Sequence, residues 1–422
     1  MAKIHDYSTN GQLSAVQSEL EASVPVDIKD DNGFTPLACA VGSPLADVAL
    51  VKLLIDADAD IHATFGRSQR TLLDLATKSA SVEKINLLLK AGVNINRATN
   101  HGYTALVNAI YALYDDGRLP EIISHLVQNG ANVDCETTYG ESPITVASRF
   151  GRFDCVQALL NADADLARLR WTPLMTAICL SDVPSVEQAL RQSSTLSGRD
   201  RFDRTAWLLS AVVGYIEKAA LLLNAGANLE ESDHSGETAL MIAAMYNHAG
   251  LAEWLIGQGA DLEATDKMGS TPLLHAVQRS SIATINVLLK SGANLSHRNS
   301  HGEKSVSQAS SVEVVKLLVE AGESFVETST EMRRKLTRLE SSKAIEASVE
   351  EYHADCRPRF GRSNPELIES KFCRAMVRAG WGLPSEKAVQ RYRVPAASRV
   401  VLQPIWHFFQ STSRWTVCAN RR

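Results

Sequence analysis

Asp56-Ala-Asp-Ala-Asp60 and Asp163-Ala-Asp165 set carboxylates at alternate positions, the spacing with which an oxygen-lined loop grips calcium. Both lack the central Gly and the distal Glu of such a loop, so they read as structural turns. His297 and His301, four residues apart, would offer two imidazoles to a transition metal if they shared a helix. The residues around them read as a hairpin, which separates them. His353, Cys356 and Cys373 bring imidazole and thiolate, but their scattered spacing is not a zinc pattern. The sequence has no Gly-rich phosphate loop, no His-Glu-x-x-His and no Gly-x-Ser-x-Gly. No nucleophile–base–acid set can be assembled, so no catalysis, cofactor, metal or small-molecule substrate is expected.

The chain has 422 residues, of which 45% are hydrophobic, 22% charged and 6% aromatic. That apolar share excludes wholesale disorder. No apolar run reaches the ~18–20 residues of a membrane span, so no membrane partner is expected. Seven cysteines without a Cys-x-x-Cys pair fit a reduced, cytoplasmic setting better than a disulfide framework. The net charge of −5 is uneven: residues 357–422 hold thirteen Lys and Arg against three acids, +10, which leaves −15 on the first 356. A basic tail of this kind docks on the acidic body or serves an acidic partner such as nucleic acid.

The elements that would carry any site repeat along the chain. Gly-Phe-Thr-Pro-Leu-Ala-Cys-Ala-Val at 33–41, Gly-Glu-Thr-Ala-Leu-Met-Ile-Ala-Ala at 236–244 and Gly-Ser-Thr-Pro-Leu-Leu-His-Ala-Val at 269–277 are near copies. Each leads to a Leu-rich helix and a small-residue turn, as in Leu87-Leu-Leu-Lys-Ala-Gly92. The anchors Thr172, Thr205, Thr238, Thr271 and Lys304 follow one another at intervals of 33. Upstream anchors are Thr35, Thr71, Thr104 and Ser142, which makes nine units. Pro just after the anchor opens a first helix, and Gly92, Gly130, Gly226, Gly259 and Gly292 end second helices in the left-handed conformation. No unit buries its apolar face alone, so stacking must supply the core.

This pattern resembles the ankyrin-repeat family over roughly residues 1–325. The resemblance implies an all-α solenoid of helix-turn-helix units that binds another protein through hairpin tips and a concave face, without chemistry of its own. Residues 1–29 read as an N-terminal capping unit and 30–325 as the repeats, the ninth with a shortened first helix. Unit three carries an insertion around Asp115-Asp116-Gly117-Arg118. Unit five has Gln192-Ser-Ser194 in place of its Gly-Ala turn, which marks it as the weakest joint and a hinge. The family's His after Thr-Pro-Leu is missing: Ala38, Asp74, Val107, Thr145, Met175, Leu208, Met241 and Leu274 stand there, so the hairpins are expected to be less firmly tied.

By register the exposed tips include Phe34, Tyr103, Tyr139, Arg168, Trp171, Arg201, Phe202 and Arg204, residue types that dominate interface hot spots. An unidentified protein is the expected partner. Replacing Trp171, Phe202 and Arg204 together by Ala is expected to abolish its capture without unfolding the array.

Residues 326–358 read as an amphipathic helix, Thr330–Tyr352, and a linker. Residues 359–422 read as a basic, mainly helical region with a helix start at Asn364-Pro-Glu366. Phe360–Trp381 loosely resembles a segment of uncharacterised domains that follow ankyrin arrays in bacterial proteins. Those continue into a β-rich region this sequence lacks, so this region is expected to be truncated. Thirteen basic residues interleaved with aromatics there make nucleic acid the alternative partner.

Overall fold

A computed structural model describes residues 3–113, 116–193 and 195–322. Expectations for residues 326–422 lie outside them. The described residues form an all-α repeat solenoid of twenty α-helices, one 3-10 turn at Leu166–Leu169 and two isolated β-bridges.

Helices come in pairs. Ahead of the nine units stand α1 (Lys3–Thr9) and α2 (Leu13–Glu21). Units one to three are α3 (Pro36–Gly42) with α4 (Val48–Asp56), α5 (Leu72–Lys78) with α6 (Val82–Lys90), and α7 (Ala105–Leu113) with α8 (Leu119–Gln128). Units four to six are α9 (Pro143–Arg149) with α10 (Phe153–Leu160), α11 (Pro173–Leu180) with α12 (Val183–Gln192), and α13 (Ala206–Val213) with α14 (Ile216–Asn224). Units seven to nine are α15 (Ala239–Met245) with α16 (Ala249–Gly257), α17 (Pro272–Gln278) with α18 (Ile282–Lys290), and α19 (Ser305–Gln308) with α20 (Val312–Glu320).

The anchors act as helix N-caps. The hydroxyls of Thr35, Thr71, Thr172, Thr205, Thr238 and Thr271 each accept the backbone N–H three residues on. First helices are largely buried because each is covered on both sides. Leu37, Leu72, Ile110, Ile144, Leu208, Met241 and Leu274 are completely or almost completely buried. Second helices bury one stripe, exemplified by Ile85 with Leu88 and Ile285 with Leu288.

Second-helix turns end in a left-handed residue, Gly92, Gly130, Gly226, Gly259 or Gly292. In the two Asp-rich turns the same conformation falls on Asp58 and Asp163, each at φ 63°. These carboxylates are therefore turn elements: Asp60 N–H donates to Asp27 and Asp165 N–H to Asp134, one unit back. Replacing Asp58 and Asp163 by Gly relieves the left-handed strain at some cost in chain entropy, so a gain of roughly 0.5 kcal/mol each is expected in urea unfolding. A loss would mean that the Asp side chains hold the turns.

The missing hairpin His has a substitute. Five residues before the anchor, the side chains of Asp30, Thr99, Thr137, Asp200, Asp233, Asp266 and Asn299 accept backbone N–H groups across their own hairpin. Units two and five have Gly66 and Ala167 there and fold differently, the former with a bridge between Phe65 and Arg70, the latter with the 3-10 turn. Hairpins also join through the backbone, as from Thr138 N–H to His101 O, Lys267 N–H to Ser235 O and Ser300 N–H to Met268 O.

First helices stack on one another from α1 to α9 and again from α11 to α19. Between α9 and α11 the register breaks: α11 lies against α10, and α9 meets the 3-10 turn. Units four and six then touch directly across unit five. Arg204 donates to the Ser148 carbonyl and hydroxyl at 3.2 and 3.0 Å, and Arg201 to the Gly140 carbonyl at 2.6 Å. Tyr246 of unit seven reaches the Arg149 carbonyl at 3.2 Å. Gly151 permits this approach, because a Cβ there would lie 2.7 Å from Val212 and 2.8 Å from the Tyr246 ring.

Candidate functional site

The break at unit five opens a cleft of about 1360 Å³ against the C-terminal ends of the first helices. Its walls include Arg149, Phe202, Val212, Tyr246, His248 and Arg279. At its edge a polar and aromatic cluster spans units three and four. Glu141 is the centre: it accepts the Tyr111 hydroxyl at 2.7 Å and the Tyr103 hydroxyl at 3.2 Å, and pairs with Arg149 at 2.9 Å. Arg149 also donates to the Tyr111 hydroxyl, and its guanidinium lies 5.5 Å from the Tyr111 and Phe150 ring centres. Burial, then the hydrogen bond to Glu141, raises the Tyr111 pKa, so the phenol stays neutral at physiological pH. Tyr139 lies tilted against His101 and Tyr103, ring centres 5.8 and 6.5 Å away, and is 66% exposed.

The eight tip residues fall into two groups. Tyr103, Tyr139 and Arg201 lie together, Arg201 reaching the hairpin of Tyr139 through Gly140. Arg168 is half-buried and engaged with Asp134 and Glu136 of the preceding hairpin. The others turn inward. Phe34 stacks face to face on Phe65 at 5.4 Å, and Trp171 packs edge-on against Phe153 at 5.9 Å. Phe202 is half-buried beneath the Arg204 guanidinium. Arg204 itself is a correction to the expectation of an exposed tip: it is 7% exposed and paired at 2.8 Å with the fully buried Asp200 carboxylate. A short Asp at the hairpin base draws it in, so the triple replacement with Trp171 and Phe202 would damage the fold.

Sequence reasoning missed Tyr111, Arg149, Phe150 and Tyr246. They occupy a fixed register, seven or eight residues after the anchors Thr104, Ser142 and Thr238, at the exposed ends of first helices. It also missed a cluster at the far side of the cleft, where Glu237, Asp266 and His275 converge with possible ligand atoms within 4.8 Å of one another. Burial and the neighbouring Asp233 and Asp266 raise the Glu237 pKa to about 7. His297 donates to the Gly269 carbonyl from its hairpin at 2.8 Å, a structural tie.

Cys39, Cys135, Cys155 and Cys179 are free. Burial first of all, and then Asp154, pushes the Cys155 thiol up to about 12, so slow alkylation of Cys155 in the native protein is expected at pH 8, tracked by mass spectrometry. Rapid labelling would mean that unit four opens readily. Among the described residues no helix is long and apolar enough to cross a membrane.

Comparison with known proteins agrees with the geometry. The family described as ankyrin repeats (3 copies) matches residues 4–99, 109–195, 183–266, 206–299 and 250–329. Ankyrin repeat protein nuc-2 of Neurospora crassa is 30% identical over 164 residues, 38% of this chain and 15% of its own length. The B-cell lymphoma 3 protein homolog of Mus musculus is 30% identical over 132 residues, 31% of this chain and 28% of its own. Ankyrin repeat protein YahD of Escherichia coli strain K12 is 28% identical over 190 residues, 43% of this chain and 92% of its own. The chain thus spans under a third of the length of the first two.

Proposed function

The chain belongs to the ankyrin-repeat family, and from that premise we propose that it is a non-catalytic protein-interaction scaffold. Its contact surface is the tyrosine–arginine cluster of units three and four, the adjoining hairpin tips and the cleft beyond them. The observation that carries this reading is Tyr139, a large ring left 66% exposed at the edge of a fixed cluster of Tyr103, Tyr111 and Arg149. Tyr and Arg held rigid in this way lose little entropy on binding, which is why they anchor interfaces. Of the tip residues, Tyr103, Tyr139, Arg168 and Arg201 serve the surface. Phe34, Trp171, Phe202 and Arg204 support it from beneath.

The test uses the full chain as bait, with Tyr139→Ala/Arg149→Ala and Leu45→Ala as variants. Leu45 is 68% exposed and lies in unit one, away from the cluster, so it is the control surface. Once a stoichiometric partner is captured, the double variant should bind it about 30-fold more weakly, roughly 2 kcal/mol, and Leu45→Ala should be unchanged. Equal binding by all three would refute the surface. The alternative, nucleic acid held through residues 357–422, predicts capture that a nuclease abolishes.

A further inference from the structure

The hairpins of units six and seven treat their buried acid differently. In unit six the Asp200 carboxylate is neutralised by Arg204, the residue before the anchor. In unit seven the residue before the anchor is Glu237, so an acid replaces the cation. It faces Asp266 of the next hairpin and stands near Asp233 of its own. Three carboxylates thus gather where one imidazole, His275, is the close nitrogen ligand. The hydrogen bonds of Glu237 among the described residues run through its backbone N–H and carbonyl, both to Asp233.

Glu237, Asp266 and His275 each offer one ligand atom, all within 4.8 Å of one another. Asp266 uses Oδ1 to accept the N–H groups of Met268 and Ser270 at 2.8 and 2.7 Å, which orients the carboxylate and turns Oδ2 to His275. Outer hydrogen bonds of this kind fix metal-binding carboxylates. Oδ2 and His275 Nε2 are hydrogen-bonded at 3.1 Å, both side chains are more than nine-tenths buried, and an ion bound between them takes the place of the shared proton. Two ligand atoms on a tetrahedral ion with bonds near 2.0–2.1 Å stand about 3.3 Å apart. A small movement of Glu237 completes three of four positions, and because Glu237 lines the cleft, the fourth opens towards it.

We propose that Glu237, Asp266 and His275 form a divalent transition-metal site of the zinc class, linking the hairpins of units seven and eight. One nitrogen and two carboxylate oxygens suit Zn²⁺, Mn²⁺ or Co²⁺ and disfavour Ca²⁺, which takes six to eight oxygens. The ion cancels the charge of the two ligating carboxylates. Arg279, one turn beyond His275, acts on Glu237 through its positive charge and opposes the ion.

The probe is Co²⁺ titrated into the full chain after removal of metals by chelator, read by its visible absorption and by calorimetry. Expected is one equivalent bound in a four- or five-coordinate spectrum, lost in both Glu237→Gln and His275→Gln. Removing a ligand should weaken binding beyond the ~10–100-fold that loss of an outer-shell partner costs. Arg279→Gln should bind several-fold more tightly, a gain that misfolding cannot imitate. Circular dichroism of the chelated variants guards against an unfolded control. Failure of the full chain to take up the equivalent, or its retention in both ligand variants, overturns the site. Retention would assign that equivalent to other residues such as His353 and Cys356.

Discussion

Replacing Arg204 by Ala is expected to destabilise the array by about 3–5 kcal/mol, the cost of leaving one partner of a buried pair without compensation. The Asp200 side chain is fully buried. Its Oδ1 is taken by the Phe202 and Arg204 N–H groups, and its Oδ2 by the Arg204 guanidinium at 2.8 and 3.0 Å. The same guanidinium bonds Ser148 of unit four, so its loss also removes a strut across the break at unit five. A repeat array unfolds according to the strength of its nearest-neighbour joints. Urea unfolding of Arg204→Ala should therefore show a lower midpoint and a split into two transitions. The double variant Asp200→Asn/Arg204→Met keeps the Oδ1 acceptor and removes both charges, and should recover more than half of the loss. A change below 1 kcal/mol in the single variant would show that water reaches Asp200.

Arg204 also marks where reading by register stops working. Period, anchor and cap were legible because each is local: a Thr at the N-cap and a Gly at the turn act within four residues of themselves. The position before the anchor is different, for its fate depends on partners elsewhere in the chain. Phe34, Tyr103, Trp171, Arg204 and Glu237 all hold that position. One stacks on Phe65, one joins the Glu141 cluster, one packs on Phe153, one neutralises Asp200 and one meets Asp266. Sequence offset places all five at a hairpin, whereas burial is set by what stands opposite.

The hairpin bases show the opposite case, a signal present in the sequence and overlooked. Absence of the family's His drew attention to the wrong place. The Asp, Thr or Asn five residues before the anchor does the closing, and its absence at Gly66 and Ala167 coincides with the two aberrant hairpins. Unit five was marked by its missing turn, but the direct bonds from units six and seven to unit four were invisible, since they link residues 56 to 97 apart.

Replacing Lys84 by Met is expected to cost about 2–3 kcal/mol, a large effect for a residue type that usually lies on the surface. Lys84 is 3% exposed, and its ammonium donates to the carbonyls of Ala40, Val41 and Ser43 at the end of α3, one unit back. Lys218 does the same for Ile178 and Ser181 at the end of α11, both at 2.7 Å. A cation placed there meets the negative end of the helix and satisfies carbonyls that have no other donor in the helix. Met matches the length but supplies no donor. Burial lowers the pKa of Lys84 below the usual 10.5, so the folded protein releases this proton at lower pH than the unfolded chain. Between the two values the unfolded chain holds more protons, and stability rises with pH. The full cost of burying the charge is present below the folded pKa and is gone above about 10.5. The stability gap between the natural chain and Lys84→Met should therefore widen as pH is raised towards about 10.5, the comparison cancelling titrations common to both chains. A gap that stays constant would mean that the ammonium remains solvated in the folded array, and the carbonyl cap at α3 would then carry far less of the stability of unit one.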